Sequence, residues 1–343
     1  MAKKLLLVVF ALLSLNQALA QTDSLETTDN QDSVRLSIDE FTYGNHRRFL
    51  IDGSTAFRHT DIQTIPAIAF SGTIVTFMTI QHIAQLNTIW QEQGEFKFQE
   101  DGNYAFGADK LGHIFGSYFT SYMMTEGLMI SGLDWETATI CGTALGLSYS
   151  TYVEVMDGYG KNWGFSMSDF YADLGGATFH ILQYYVPYLQ NFTPKFMYFP
   201  APWFGENHRS GSDAFIDDYS SHTLFVSVNV YNMIPDSWQK YWLPWLELSF
   251  GYAARNLCVR GDDTYWCDPT KSVECDGPYC GSPRYILALD YNLVKMLPDG
   301  PGLYNWVKQS LNHIKMPSPA IEFGPTTRFH IVYPFKLDIG IKL

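Results

Sequence analysis

A-D-K-L-G-H at Ala108–His113, V-E-V-M-D-G at Val153–Gly158 and F-S-M-S-D-F-Y-A-D-L-G-G at Phe165–Gly176 are three short motifs that follow one another along the chain. Each stands at one end of an apolar run of helical length. Asp109 and His113 are spaced i,i+4, Glu154 and Asp157 i,i+3, and Asp169 and Asp173 i,i+4, with His180 one heptad beyond Asp173. Residues three or four apart share a helix face. The spacing therefore predicts three helices that turn Lys110, His113, Glu154, Asp157, Asp169 and Asp173 toward one another.

Working outward, the predicted helices run about Asp109–Gly132, Trp135–Val155 and Ser166–Tyr188. Asp109, Asp134 and Ser166 are candidate N-caps, and Gly158 and Gly160 stop the middle helix. Gly112 with Gly116, Gly142 with Gly146, and Gly175 with Gly176 put small residues where helix backbones can approach. A fourth helix, Ile65–Ala84, is the most apolar stretch after the N-terminus. Ser71, Thr73, Thr76, Thr79 and Gln81 dilute it, so it reads as a buried or interface helix before a true span. Asn87–Asn103 is a polar, aromatic connector.

The order D-K-x-G-H, E-x-x-D and F-S-x-x-D-x-x-x-D-x-x-G resembles the YfiM-like family of predicted periplasmic proteins, a domain of unknown function. The likeness covers Leu86–His180. A more distant similarity is to VanZ-like membrane proteins, which also pair an early D-K-x-x-H with later acidic residues. The resemblance implies an envelope compartment and a site at Asp109, Lys110, His113, Glu154, Asp157, Asp169 and Asp173, and no reaction. Two positions depart from the pattern. Many members are lipoproteins, whereas no Cys follows the expected cleavage site here. The second acidic position of the last motif is often Asn, and here it is Asp173.

Residues 1–20 have the three parts of a secretory signal peptide: Lys3 and Lys4, the apolar Leu5–Leu15, and Ala18-Leu19-Ala20. Losing the two lysines moves the formal charge from −13 to −15. That acidic balance argues against nucleic acid, which needs a basic face. Aromatics make up 16% of the chain, with 22 Tyr and 9 Trp, a composition suited to half-wet surfaces such as membrane interfaces. Residues 21–60 form a polar leader in which Val34–Ile38 alternates like one strand.

Beyond residue 194 the pattern changes from helical to period two. Phe196–Ser212 reads as a linker. Leu224–Val230, Leu246–Tyr252, Tyr285–Tyr291 and the long run Phe329–Leu343 alternate apolar with polar residues, as antiparallel strands with one apolar face do. Ala320–Phe323 is a further candidate strand, and Leu303–Ile314 a short helix. The apolar face can meet a core, giving a sheet packed on the bundle, or lipid, giving a small or partial barrel. Pro325 and Pro334 argue for edges or bends. Cys258, Cys267, Cys275 and Cys280 share one acidic loop. In an exported chain they predict disulfides stapling residues 258–280, of undetermined pairing, over zinc. Cys141, mid-helix, reads as a buried free thiol.

Three chemistries fit the motif residues. A divalent metal could sit on His113, Asp169 and Asp173, with Lys110, His113, Glu154 and Asp157 as catalytic groups acting on an ester or phosphoester. No H-E-x-x-H or E-x-x-H pair supports this. Metal-free acid–base work at His113 is a second option. A paired polar knot that fixes helix packing is the third. The expectation is an exported α+β protein of a Gram-negative periplasm or outer membrane: a helical bundle over residues 61–194, then an antiparallel β region over residues 195–343. It is read as structural or lipid-binding, with a membrane lipid or envelope component as partner. A metal-dependent envelope hydrolase is the alternative.

Overall fold

A computed structural model describes residues 34–204, 218–259, 274–276 and 279–335. The expected signal peptide, residues 21–33 of the leader, Cys267 and residues 336–343 of the last alternating run lie outside the described residues.

The architecture is α+β, as the two periodicities require. Four long helices form first: α1 (Thr64–Leu86), α2 (Ala108–Ile130), α3 (Trp135–Tyr159) and α4 (Met167–Tyr185). Asp134 caps α3 by accepting from Thr137 N at 3.0 Å, and Ser166 caps α4 by accepting from Asp169 N at 3.3 Å. Asp109 is not a cap. Gly107, at φ +78°, holds that position, and Asp109 lies inside the first turn of α2. α2 is the central helix, lying against α1, α3 and α4 on one side and the sheet on the other.

Some of the small residues set how close these helices come. A Cβ on Gly146 would stand 2.7 Å from Ser121 N, and one on Gly142 2.6 Å from Thr125 N. On Gly176 it would stand 2.1 Å from the Ile114 carbonyl oxygen. α3 and α4 thus lie backbone to backbone on α2. Gly116 and Gly175 meet nothing within 4 Å and play no such part.

The leader is not a strand at Val34–Ile38. Arg35 makes only an isolated bridge to Phe57. A two-residue hairpin, β1 (Thr42–Tyr43) with β2 (His46–Arg47), forms instead. The segment then lays Phe41, Leu50 and Ala56 against Met129 and Ala138 of the bundle.

The β region begins earlier than the composition change implied. Phe192–Tyr198 is β3 and pairs with β4 (His222–Val228), so the first three residues of the expected linker Phe196–Ser212 belong to a strand, and its residues 205–212 lie outside the described residues. β5 (Leu246–Val259), β6 (Glu274–Asp276), β7 (Tyr279–Tyr291), β8 (Ala320–Phe323) and β9 (Arg328–His330) follow, with helix α5 (Gly302–Leu311) between β7 and β8. All pairings are antiparallel, in the order β3-β4-β5-β7-β8-β9, with β6 beside β7. The path is open, so among the described residues the sheet is not a closed barrel. Of the described part of the long final run Phe329–Leu343, only Phe329 and His330 belong to a strand, β9, and residues 331–335 leave the sheet in a turn.

The sheet's two faces are inverted relative to a water-soluble sheet packed on helices. In register, Val226, Phe250, Leu287, Ile321 and Phe329 form one row across five strands, and all but Ile321 are exposed. The next row, Ser227, Ser249, Ala288, Ala320 and His330, is buried. Below it lies a buried ionic network: Lys195 meets Asp290 at 2.9 Å and Glu247 at 3.3 Å, and Lys315 meets Asp290 at 3.3 Å. Small and charged groups thus fill the inner side of the sheet, closed by Lys315, Ser318 and Tyr333. The bundle meets one end of the opposite, apolar face, where Phe115 stacks on Phe196 with ring centroids 5.5 Å apart. Met197, Phe225, Ile286 and Tyr333 supply the apolar part of the inner side.

Cys258 stands opposite Cys280 across β5 and β7, and Cys275 opposite Cys280 across β6 and β7. The side chain of Cys275 lies outside the described residues, so the pairing of the four remains an expectation. Cys141 is a free thiol, half-buried rather than buried on α3.

Candidate functional site

The three motifs meet at one end of the bundle. Asp109, Lys110 and His113 come from the first two turns of α2, Glu154 from the penultimate turn of α3, and Asp169 and Asp173 from the start of α4. Helix direction explains the meeting. α2 and α4 begin where α3 ends, so the polar residues at their termini share one level. The connector 87–107 is tied across that level by Gly94 N to Tyr159 O at 2.8 Å and Lys97 N to Gly158 O at 2.9 Å. It brings in a carboxylate that the motif pattern did not single out, Asp101.

The cluster has two halves that share the His113 ring. In the first, the Lys110 ammonium donates to Asp109 at 2.6 Å, to Asp169 at 2.5 Å, and to Asp101. Ser166 Oγ donates to Asp101 at 2.8 Å, and the Tyr219 hydroxyl donates to Asp109 Oδ1. Nε2 of His113 faces this half, 3.5 Å from Asp169 and 3.7 Å from Asp109. In the second half, Nδ1 of His113 lies 3.3 Å from Asp173 Oδ1 and 3.5 Å from Glu154 Oε1.

The halves differ in how well they are satisfied. Every carboxylate of the first half has a donor. In the second, Glu154 Oε1 and Asp173 Oδ2 are buried and accept no hydrogen bond, and both residues are 1% exposed. A buried, unpaired carboxylate oxygen is costly. Five carboxyl groups (Asp101, Asp109, Glu154, Asp169 and Asp173) face two possible cations, Lys110 and His113. Burial pushes Glu154 up to about 9 and Asp169 up to about 7. Against the effect of its burial, the surrounding aspartates raise His113 to about 10, so the cluster holds protons that a bound cation would displace. Ligand-capable atoms of Asp109, His113 and Asp169 lie within 4.8 Å of one another, as do those of His113, Glu154 and Asp173. The rim is narrow: side-chain exposure is 27% at Asp101, 22% at His113 and 15% at Lys110.

Most of the expected residues are brought together, but not all. Asp157 turns away to accept from Trp90 Nε1 at 2.6 Å. His180 lies two turns below and bonds Thr143 Oγ1 through Nδ1 at 2.9 Å. Lys110 is committed to three carboxylates, which leaves it no free face for an anionic substrate. Asp101 and Tyr219 were missed because neither shares a helical spacing with the motifs. The D-G-N-Y turn before α2 was the available signal for Asp101; Tyr219 had none.

No curated protein and no solved structure matches the chain. One family model does match, over residues 95–185, the segment that supplies every carboxylate of the cluster. The match does not extend to the YfiM-like or VanZ-like likenesses. The family matched is described as a predicted periplasmic lipoprotein, a domain of unknown function (DUF2279), which agrees with an exported protein of the periplasm or outer membrane.

Proposed function

We propose that this exported protein binds one divalent cation on Nδ1 of His113 together with Glu154 and Asp173. The observation that carries the reading is the pair of buried, acceptor-only oxygens, Glu154 Oε1 and Asp173 Oδ2, beside that ring nitrogen. A dication balances two carboxylates and gives both orphaned oxygens a partner. Nε2–H of His113 then donates to Asp169, the arrangement by which a carboxylate orients a metal-bound imidazole. One imidazole with two carboxylates suits zinc, manganese or iron and leaves positions open. Within this reading Asp169 serves the ring and Lys110, and Glu154 takes its place as ligand.

The Lys110 half supports a structural role. It clamps the connector through Asp101, α2 through Asp109 and α4 through Asp169, holding the ligands in place. A bound cation with open positions can polarise water. Metal-dependent hydrolysis of an ester or phosphoester of an envelope lipid or wall component is therefore the first activity to assay. A structural or lipid-binding role is the reading that remains if no cation binds.

Thermal unfolding with and without zinc or manganese tests this. A cation at a hundred times its dissociation constant stabilises by about 2.7 kcal/mol. The expected result is a cation-dependent rise in Tm that is lost in Glu154→Gln and Asp173→Asn and kept in Asp157→Asn. A rise equal in all four proteins, or none in the wild type, overturns the assignment.

A further inference from the structure

We infer that the chain is seated in a lipid bilayer through one apolar belt, formed by the outward faces of α1, α3 and α4 and continued by the outer face of the sheet. The observation is an inversion of the usual pattern, made twice on unrelated architectures. On α3 the buried residues are small or polar: Ala138, Thr139, Gly142, Thr143, Gly146, Glu154 and Gly158. Those it exposes include Ile140 (44%), Leu145 (45%) and Val155 (36%). On α4, Asp169, Asp173, His180 and Gln183 are buried while Tyr171, Leu174 and Leu182 are exposed. The sheet repeats this, with Val226, Phe250, Leu287 and Phe329 outside and Ser227, Ser249, Lys195 and Asp290 inside. Buried polar groups and broad exposed apolar surface are the informative departures from a water-soluble protein. Together they describe a molecule whose solvent is hydrocarbon.

The dimensions agree. α1 has 23 residues, an 18-residue stretch of mean hydropathy 1.4 and no Asp, Glu, Lys or Arg; Ile65, Ile68, Val75 and Phe77 are at least 58% exposed. At 1.5 Å per residue its length matches a hydrocarbon core of about 30 Å. Close packing through Gly142, Gly146 and Gly176 is the means by which helices associate where water does not drive them together.

A sheet in lipid must satisfy its edges, and of the two ends of this sheet the one at β3 is covered within the described residues. At β3, Phe196 N donates to His313 O at 2.9 Å and Lys315 N to Phe196 O at 2.9 Å, so the chain after α5 covers that edge. Lipid is favoured over a second copy of the chain because the belt runs over both the helical and the sheet side, whereas a two-fold contact covers one patch. The cation-ligand cluster lies in the terminal turns of α2, α3 and α4, at the end of the belt where headgroups begin.

The test is photolabelling of the full chain in phosphatidylethanolamine vesicles by a phospholipid with a carbene precursor in its acyl chain, followed by peptide mapping. Label is expected in peptides of Thr64–Leu86, Trp135–Tyr159 and the strands Leu246–Val259 and Tyr279–Tyr291, and absent from Ala108–Ile130, which the others enclose. Val226→Lys with Leu287→Lys is expected to reduce co-flotation with vesicles several-fold. Label confined to Thr64–Leu86, a detergent-free water-soluble monomer, or a detergent-free dimer that buries the belt would each overturn the proposal. Cation binding is read separately on detergent-solubilised protein, so either reading can fail alone.

Discussion

Gly175 and Gly176 are adjacent on α4, and the packing predicts opposite signs for the same substitution. A Cβ on Gly175 meets nothing within 4 Å, so Gly175→Ala receives only the helix-propensity gain, about 1 kcal/mol. A Cβ on Gly176 would lie 2.1 Å from Ile114 O, 2.9 Å from Ile114 C and 3.0 Å from Tyr118 N. These are backbone atoms of α2, and no side-chain rotation relieves them. α4 must therefore move away by roughly 1 Å, and overpacking of this kind costs about 1–3 kcal/mol. At about 2 °C per kcal/mol or less, since the shift shrinks as a chain grows beyond roughly 250 residues, the two variants should lie on opposite sides of the wild-type Tm by scanning fluorimetry. Asp173 is one turn from Gly176, and its oxygen lies 3.3 Å from His113 Nδ1. Gly176→Ala should therefore also shrink the cation-dependent rise in Tm, while Gly175→Ala leaves it intact. Two shifts of the same sign would refute the backbone-contact account of the bundle.

Two further outcomes follow from buried charge elsewhere. Asp290→Asn leaves Lys195 with Glu247 and takes from Lys315 the carboxylate it pairs with, in a space where all three side chains are about 1% exposed, and chemical denaturation should show a loss of about 3–5 kcal/mol; a loss below about 1 kcal/mol would mean that water reaches the network. His313, between α5 and β8, is pushed down to about 4 by burial against the bundle, and nearby Lys195 and Arg48 add to this while its bond to the Pro194 carbonyl opposes it. A base held neutral in the folded state and free to protonate when unfolded favours unfolding as pH falls. Its share of stability should be lost between pH 6.5 and 4, approaching about 3 kcal/mol at the lower end, and His313→Gln should flatten that part of the stability–pH curve.

The helical half was legible because its signals are local. The caps Asp134 and Ser166 and the apolar spacing fixed α3 and α4 to within a few residues, and the motifs led to the residues that converge on His113. What the spacing could not supply was the choice among residues on one face. Glu154 and Asp157 are equally placed by i,i+3, and only Trp90, from the connector, decides that Asp157 is taken up elsewhere. Asp101 and Tyr219 arrive by tertiary contact. In the β half the alternation found β4, β5 and β7, but it fails over residues 331–335 of the long final run, which leave the sheet. Alternation also says only that two faces differ. Which face turns outward depends on what lies behind the sheet, and behind it lie Lys195, Asp290 and Lys315. β3 was hidden by Pro194, a residue that strands tolerate only at an edge, and β3 is an edge strand.

A cation held by His113, Glu154 and Asp173 would copurify with the protein. Elemental analysis of the purified protein beside a Glu154→Gln, Asp173→Asn double variant tests it most directly. The account predicts about one equivalent of a divalent metal in the wild type and none in the variant, with circular dichroism unchanged. A wild type without metal, or a folded variant that keeps it, would contradict the account and leave the cluster as a clamp between helices.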